Sequence, residues 1–406
     1  MFTRHPVAGV GGMILVVGAG PVGLFLALRL ARKGCEVTLI DTRKGPVQRS
    51  MAIGITPPSL DVLDELGLAE GMIRDGVAIQ DVSVHERGQW VGRLSFKRPH
   101  ERFPFILSLP QAITEKHLHR AVEGEPRIQV YRGWKVEKVD SGAGRAWVNA
   151  VSVDSGERMR LDGERVVACD GSASEVRGQA GVDMRRHDYA PRFRMMDVMD
   201  RTGLGAEAHL YFGPERPVES FPLPGGQRRW ILRTGWKDSD ELGESLPEAV
   251  HRLTGWEVHP DDILDESGFR PWRGEATSFS QGGIIFCGDA AHVVSPIGGQ
   301  GMNLGLSYAA MLAGTLAARA SDRELAHCLR QRREVFRVAA RRAALGMGLG
   351  VMTGHLGSKL RGVAVRGLLG SAWISEYLSQ WFMMRNLPFA FESPVHAVAT
   401  GAWPCR

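Results

Sequence analysis

The sequence contains no run of about 18 or more uncharged apolar residues, which excludes an obvious membrane-spanning helix. The nearest stretch, "AALGMGLGVMTGHLG" at 343–357, is rich in glycine and interrupted by His355. The opening "MFTRHPVAGVGG" is too polar for a secretory leader. Cysteine is scarce and odd in number, with five in 406 residues at 35, 169, 287, 328 and 405. None of the spacings suits a metal site or a redox pair, so neither a disulfide framework nor a zinc module is expected. Cys169 and Cys287 lie in apolar strand patterns and read as small buried hydrophobes, which points to a reducing, cytoplasmic setting. There is no internal repeat, no low-complexity tract and no clear linker. The net charge of +5 is mild. Clusters such as "RQRR" at 330–333 read as solvated helix face, so no nucleic-acid partner is expected.

What the chain does have is glycine, 50 residues of it, concentrated at chosen places. "MILVV" (13–17) reads as a buried strand and is followed by "GAGPVG", a helical pattern to about residue 33, and the strand "CEVTLID". Gly18, Gly20 and Gly23 have the G-x-G-x-x-G spacing of a dinucleotide loop. The first glycine permits the tight turn, the second lets backbone approach a pyrophosphate, and the third lets helix and strand pack closely. Pro21 suits a first helical turn, and Val22 follows it where free N–H groups and the helix dipole attract phosphate. Asp41 lies 23 residues after Gly18, placed to hold a ribose hydroxyl. No second such loop occurs, so only one dinucleotide has a dedicated binding unit.

Two further motifs stand at strand ends. "RVVACDGSASEVR" (165–177) puts Asp170 and Gly171 after an apolar strand, with Ser174 and Arg177 suited to cap the next turn or bind an anion. "GGIIFCGDAAHVVSPIGGQGMN" puts Asp289 after another strand, then Pro296 and the glycines Gly298, Gly299 and Gly301 at a helix entrance. A helix is expected from about 302, and a single helical pattern over 59–76. His292 reads as a structural histidine on a first helical turn after Asp289 rather than a catalytic base.

Together these three motifs, over roughly residues 12–340, resemble the single-component FAD-dependent aromatic hydroxylases, the para-hydroxybenzoate hydroxylase-like class that includes ubiquinone-biosynthesis hydroxylases. The resemblance implies an α/β fold: a Rossmann-like FAD-binding domain with an inserted β-sheet substrate domain and a C-terminal helical region. The expected division is 12–80, 105–185 and 276–340 for the FAD domain, 81–104 and 186–275 for the substrate sheet, and 341–406 for the helical region. It implies bound FAD, with NADPH or NADH as a transient reductant. The reduced flavin would react with O2 to give a C4a-(hydro)peroxyflavin that hydroxylates or epoxidises an aromatic or polyketide-like small molecule. Gly18, Gly20, Pro21, Val22, Gly23 and Asp41 would hold the pyrophosphate and adenosine ribose. Gln111 would reach the ribityl chain, Asp170 would lie near the cofactor, and Asp289 would accept hydrogen bonds from it. Pro296, Gly298, Gly299, Gln300, Gly301, Met302 and Asn303 would flank the flavin ring. Met51 stands where the class carries an arginine, so Arg49 is the substitute candidate. For the substrate, the candidates are Tyr211, Phe221, Arg233 and Pro296; Tyr211 stands for one of the class's phenol-orienting tyrosines. No catalytic side chain is assigned. The aromatic-rich 373–391 stretch would pack as core, cover the pocket, pair two copies, or touch a membrane surface peripherally. An FAD-dependent isoprenoid reductase and a flavin-binding accessory protein without turnover are the alternative readings.

Overall fold

The computed structural model describes residues 3–4, 12–47, 52–98, 100–234, 244–295, 299–351 and 366–387. Its central element is a six-stranded sheet whose middle strand, Met13–Val17, pairs in parallel with Glu36–Asp41 on one side and Arg165–Ala168 on the other. Ile128–Arg132 and Ile284–Phe286 extend the parallel set outward, and Ser280–Gln281 closes one edge antiparallel. The four inner strands, Met13–Val17, Glu36–Asp41, Arg165–Ala168 and Ile284–Phe286, are largely buried on both faces, which is why they read as mostly apolar runs rather than alternating ones. The helix Pro21–Arg32 makes the crossover between the first two strands, packed against the helices Gln111–Glu123 and Gln300–Ala317.

Because the strands are parallel and in register, their C-terminal ends share one edge. Val17 lies beside Ile40 and Ala168, and Ala168 beside Phe286. The residues that follow each strand are thereby brought together: Gly18, Asp41, Asp170 and Asp289.

A second, seven-stranded sheet runs in the order Ile263–Phe269, Arg192–Met199, Gln227–Thr234, Val218–Leu223, Ala208–Phe212, Asp81–Glu86, Gln89–Ser95. Its side chains alternate cleanly. Met196, Val198, Tyr211, Val218, Trp230 and Leu232 pack beneath the helix Leu246–Thr254. The residues between them face the other way, toward the central sheet.

The expected single helix at 59–76 is two, Pro57–Asp64 and Ala69–Asp75. Gly67 at φ +72° turns the chain, and the Gly67 and Leu68 amides donate back to Asp64 and Leu63. The 300–317 helix is fastened to the short strand Gly54–Ile55 by Asn303. Its Nδ2 donates to the carbonyls of Gly54 at 2.9 Å and Gly299 at 2.7 Å, and its Oδ1 accepts from the Thr56 amide at 3.0 Å. Among the described residues no helix is long and apolar enough to cross a membrane.

Removing the Asn303 amide leaves buried backbone groups unpaired. Asn303→Ala is expected to lower folding stability by about 2–4 kcal/mol, read by chemical denaturation. Asn303→Asp, which sets a buried carboxylate oxygen against the Gly54 and Gly299 carbonyls, should destabilise at least as much as Asn303→Ala.

Candidate functional site

A single cavity of about 1120 Å³ runs from the shared strand edge of the central sheet to the open face of the seven-stranded sheet. That exceeds the range of about 300–1000 Å³ usual for one small ligand, and leaves room for a cofactor and a second molecule.

At the strand edge, two of the loop glycines are demanded by protein contacts. A Cβ on Gly18, which has φ +103°, would sit 2.4 Å from the Cys169 carbonyl oxygen, and one on Gly23 would sit 1.9 Å from the Gly18 oxygen. Gly20 is different: a Cβ there would meet nothing nearer than Arg43 Nη2 at 3.9 Å. Gly20 lines the cavity with Pro21 and Val22, whereas Gly23 lies beneath and serves helix–strand packing. The helix that starts at Pro21 has neither a side-chain cap nor an acid in its first turn, so its N-terminal N–H groups face the cavity bare. The 300–317 helix starts the same way, entered through Gly299 at φ +64°. A cradle that only glycine can form, between two uncapped helix ends, fits a dinucleotide pyrophosphate and the anionic edge of a reduced ring.

The acids around this edge differ in how far the protein has already engaged them. Asp41 accepts from the Ala19 amide at 2.5 Å and the Arg43 amide at 2.6 Å, and is ion-paired with the Arg43 guanidinium at 3.3 Å. It lines the cavity, and its two long contacts, with Arg43 Nε and Nη2 at 3.3 Å each, are the ones a ligand hydroxyl would displace. Buried Glu115 was not anticipated. It accepts from Gln111 Nε2 at 3.0 Å, the Val47 amide at 3.1 Å and Arg43 Nη1 at 3.4 Å. Gln111, Glu115 and Arg43 all line the cavity; the four-residue spacing of Gln111 and Glu115 on one helix was the available signal.

Asp170 accepts from the Val176 amide at 3.1 Å, and burial raises its carboxyl above the usual range. Ser174 caps its helix by accepting from the Arg177 amide at 3.0 Å. Arg177 reaches across to the Ala290 carbonyl at 3.0 Å, so the second motif is clamped to the third. Asp289 has no side-chain partner among the described residues. Its carboxylate projects into the cavity and is exposed while that cavity stands open; the dense apolar protein around it pushes its pKa up to about 6.

His292 does not sit on a helical turn. Residues 288–290 form a 3-10 turn, and His292 lies in the short strand His292–Val293, paired with Trp272–Ala276. Its ring stacks on Phe336 at 5.0 Å, and burial lowers its pKa to about 4, as befits a neutral core residue.

Gly299, Gly301 and Met302 line the cavity. Gln300 and Asn303 are buried away from it, and Asn303 acts as the fastener described above. Arg49, Pro296 and Gly298 lie outside the described residues.

On the sheet side, Phe221 and Arg233 stand on the cavity wall. Tyr211 does not. It points to the opposite face, where its hydroxyl accepts from Trp256 Nε1 at 2.8 Å and its ring stacks on His85 at 4.5 Å. Its neighbours Leu210 and Phe212 face the cavity instead. Arg229, also on the wall, is held by both oxygens of Asp197 at 2.7 and 2.8 Å. Glu219 is a carboxyl on the same wall, and burial raises its pKa to about 7. Leu378, Trp381 and Phe382 of the helix Ala372–Phe382 close the cavity from above, and Ser379 Oγ fastens that helix to the Ser95 carbonyl at 2.7 Å.

A family model described as "FAD binding domain" matches residues 13–343. Among curated proteins, 6-methylpretetramide 4-monooxygenase of Streptomyces rimosus is 31% identical over 76% of this chain and 56% of its own length. Pentachlorophenol 4-monooxygenase of Sphingobium chlorophenolicum is 28% identical over 75% of this chain and 58% of its own. The chain thus spans a little over half the length of these two relatives. Para-nitrophenol 4-monooxygenase of Pseudomonas sp. (strain WBC-3) is 26% identical over 80% of this chain and 83% of its own. Among solved structures, p-nitrophenol 4-monooxygenase of Pseudomonas putida DLL-E4 superposes with a TM-score of 0.85 at 23% identity, covering 93% of this chain and 99% of that one.

Two outcomes follow from the site geometry. Tyr211→Phe should cost about 1 kcal/mol of stability for its lost hydrogen bond and leave ligand binding in the cavity unchanged, measured by denaturation and titration. Asp289 holds its proton more tightly folded than unfolded, so its contribution to stability is lost as pH rises from about 4 through about 6. The melting temperature of Asp289→Asn, measured without ligand, should therefore gain on the parent over that window and run parallel to it above pH 7.

Proposed function

The chain belongs to the FAD binding domain family, and from that premise we propose that it is an FAD-dependent monooxygenase, reduced by NADPH or NADH, that hydroxylates an aromatic or polyketide-like small molecule. The observation that carries this reading is the continuity of the cavity. One end offers glycine backbone, bare helix termini and carboxylates; the other is an apolar sheet wall. A cofactor held at the first end would meet a ring held at the second without crossing solvent. The related proteins named above are 4-monooxygenases of pentachlorophenol, para-nitrophenol and 6-methylpretetramide, which agrees with that layout.

In this reading, Gly18, Gly20, Pro21 and Val22 receive the pyrophosphate, and Asp41 receives the adenosine ribose. Gln111 and Asp289 hold the ribityl and pyrophosphate region, with Asp170 beside them and Arg49 and Pro296 as further contacts. Amides at Gly299–Met302, with Gly298 before them, meet the pyrimidine edge of the flavin, where the helix dipole stabilises negative charge. When bound, FAD would supply the redox chemistry, hydride acceptance from the nicotinamide and activation of O2. The protein's part is to bind, orient and exclude water. Phe221, Phe382 and their neighbours keep the sheet end dry, which protects the activated oxygen from wasteful release. No second dinucleotide loop exists for the nicotinamide cofactor, so it would visit the same cavity transiently.

The test is purified protein supplied with FAD, NAD(P)H and a panel of mono- and polycyclic phenols. Expected are substrate-stimulated O2 uptake and incorporation of isotope-labelled oxygen into product. Reduction of a substrate without O2 would indicate a reductase, and slow flavin reduction with every substrate would indicate an accessory protein; either overturns the reading. For the cofactor end, Gly301→Ala is informative because its Cβ would meet only Val294 Cγ2, at 3.6 Å. Alanine should raise helix stability by up to about 1 kcal/mol. FAD affinity should fall about tenfold, equivalent to about 1.4 kcal/mol, read by fluorescence titration.

A further inference from the structure

Glu219 is not accounted for by anything above. It sits mid-strand in Val218–Leu223, with Leu210 and Ile231 directly opposite on the two neighbouring strands. All three face the cavity, together with Phe221 and Phe193. An acid in that position has no structural rationale. It makes no hydrogen bond or ion pair among the described residues, and it stands half-buried in an otherwise apolar wall, where an unpartnered carboxyl becomes costly once a ligand fills the cavity. The charged and titratable groups that share its part of the cavity are otherwise occupied or apart from it. Arg229 is neutralised by Asp197. Arg233 donates to the Glu215 carbonyl at 3.5 Å. Arg342, on the helix Asp322–Val351, is bonded to Asn386 at 2.6 Å. Tyr377 is half exposed on the covering helix, and Asp289 belongs to the strand-edge end.

We propose that Glu219 receives the proton of the substrate's ring hydroxyl, and that the substrate is an uncharged polycyclic phenol rather than a ring carboxylic acid. The proposal rests on the monooxygenase reading and assigns its substrate class. A carboxylate on an apolar wall recognises a hydroxyl donor and repels an anion, and the cavity's breadth beyond a cofactor suits fused rings. Burial holds the Glu219 pKa at about 7, which suits a proton acceptor near neutrality.

The step balances. The phenol O–H bond breaks, its proton goes to a Glu219 carboxylate oxygen, and the electron pair stays on the phenol oxygen, enriching the ortho and para carbons. One oxygen atom of O2 bonds to such a carbon. The ring C–H proton then moves to the former phenolate oxygen as aromaticity returns. The proton held by Glu219 leaves with the second oxygen atom as water; NAD(P)H supplies two electrons as a hydride, and that hydrogen together with one proton from solvent completes the new hydroxyl and the water.

The experiment compares 2-naphthol with 2-methoxynaphthalene, both uncharged between pH 6 and 8, binding to the oxidised holoprotein and followed by the flavin absorption change. In the parent, 2-naphthol affinity should rise about tenfold across that range as Glu219 ionises, because a hydrogen bond to a charged acceptor is the stronger kind. The methyl ether should show no such rise. Glu219→Gln should bind 2-naphthol without the pH step, and should hydroxylate an accepted phenol about 10²–10⁴-fold more slowly at pH 7 with normal flavin reduction. Equal pH profiles for the two probes in the parent, or no binding of 2-naphthol, overturn the proposal even if Glu219→Gln fails to fold. A naphthol-specific pH step in a protein that never consumes O2 would overturn the monooxygenase reading and leave Glu219 as the hydroxyl acceptor.

Discussion

Backbone hydrogen bonds between the 13–17, 36–41, 165–168 and 284–286 strands hold together chain segments far apart in sequence. Every feature of the cofactor end depends on that register. Parallel strands must return by crossovers, so their C-terminal ends collect on one edge, and the chain leaving each strand arrives at the same place. A one-residue slip would carry those strand ends off the shared edge; because the inner strands are apolar on both faces, the turns and crossover helices at their ends, not a face pattern, hold the register. The three long insertions, after Asp41, after Arg132 and after Cys169, are tolerated because they leave from the strand ends without disturbing the pairing.

That same edge is where the protein has left charge unsatisfied. Asp41 is braced by Arg43 and two amides, and Arg229 by Asp197, so neither needs a ligand to be stable. Asp289 and Glu219 are not braced, and both carboxyls are pushed upward by the protein around the cavity. Asp289 is exposed to the open cavity and Glu219 is half-buried in its wall, so leaving them unpartnered costs most when a ligand fills the cavity and excludes water. The two unbraced acids lie at opposite ends of one cavity, which is the arrangement expected if each waits for a different molecule.

Much of this was legible in the sequence, and the failures have physical reasons. The apolar run 13–17, the glycine spacing and the helix to Arg32 were readable because each depends on local chemistry alone. The break at Gly67 was missed because Val62, Leu66, Ala69 and Ile73 keep helical spacing through it. Tyr211 was misread because Leu210, Tyr211 and Phe212 are all apolar, so a period of two shows alternation without saying which face is inward. Only the helix at 246–254, which covers one face of that sheet, decides it, and its docking is a tertiary fact. Glu219 was passed over for the converse reason: an acid between apolar residues normally marks the solvent side of a strand.

The motifs also proved mixed in kind. Within "GQGMN", Gly301 and Met302 line the cavity while Asn303 ties the helix to Gly54 and Thr56. Within "DGSASEVR", Asp170 faces the cavity while Arg177 is spent on the Ala290 carbonyl. A motif of this sort is held by two selections at once, one for the ligand and one for the fasteners that hold its segments in place. Fasteners must be buried and fully hydrogen-bonded, whereas ligand contacts must be left open. Spacing in the sequence cannot separate the two, but hydrogen-bond satisfaction in the fold does: Asn303 and Arg177 are satisfied by protein, and Asp289 is not. By the same criterion Glu219, which belongs to no motif, stands with Asp289.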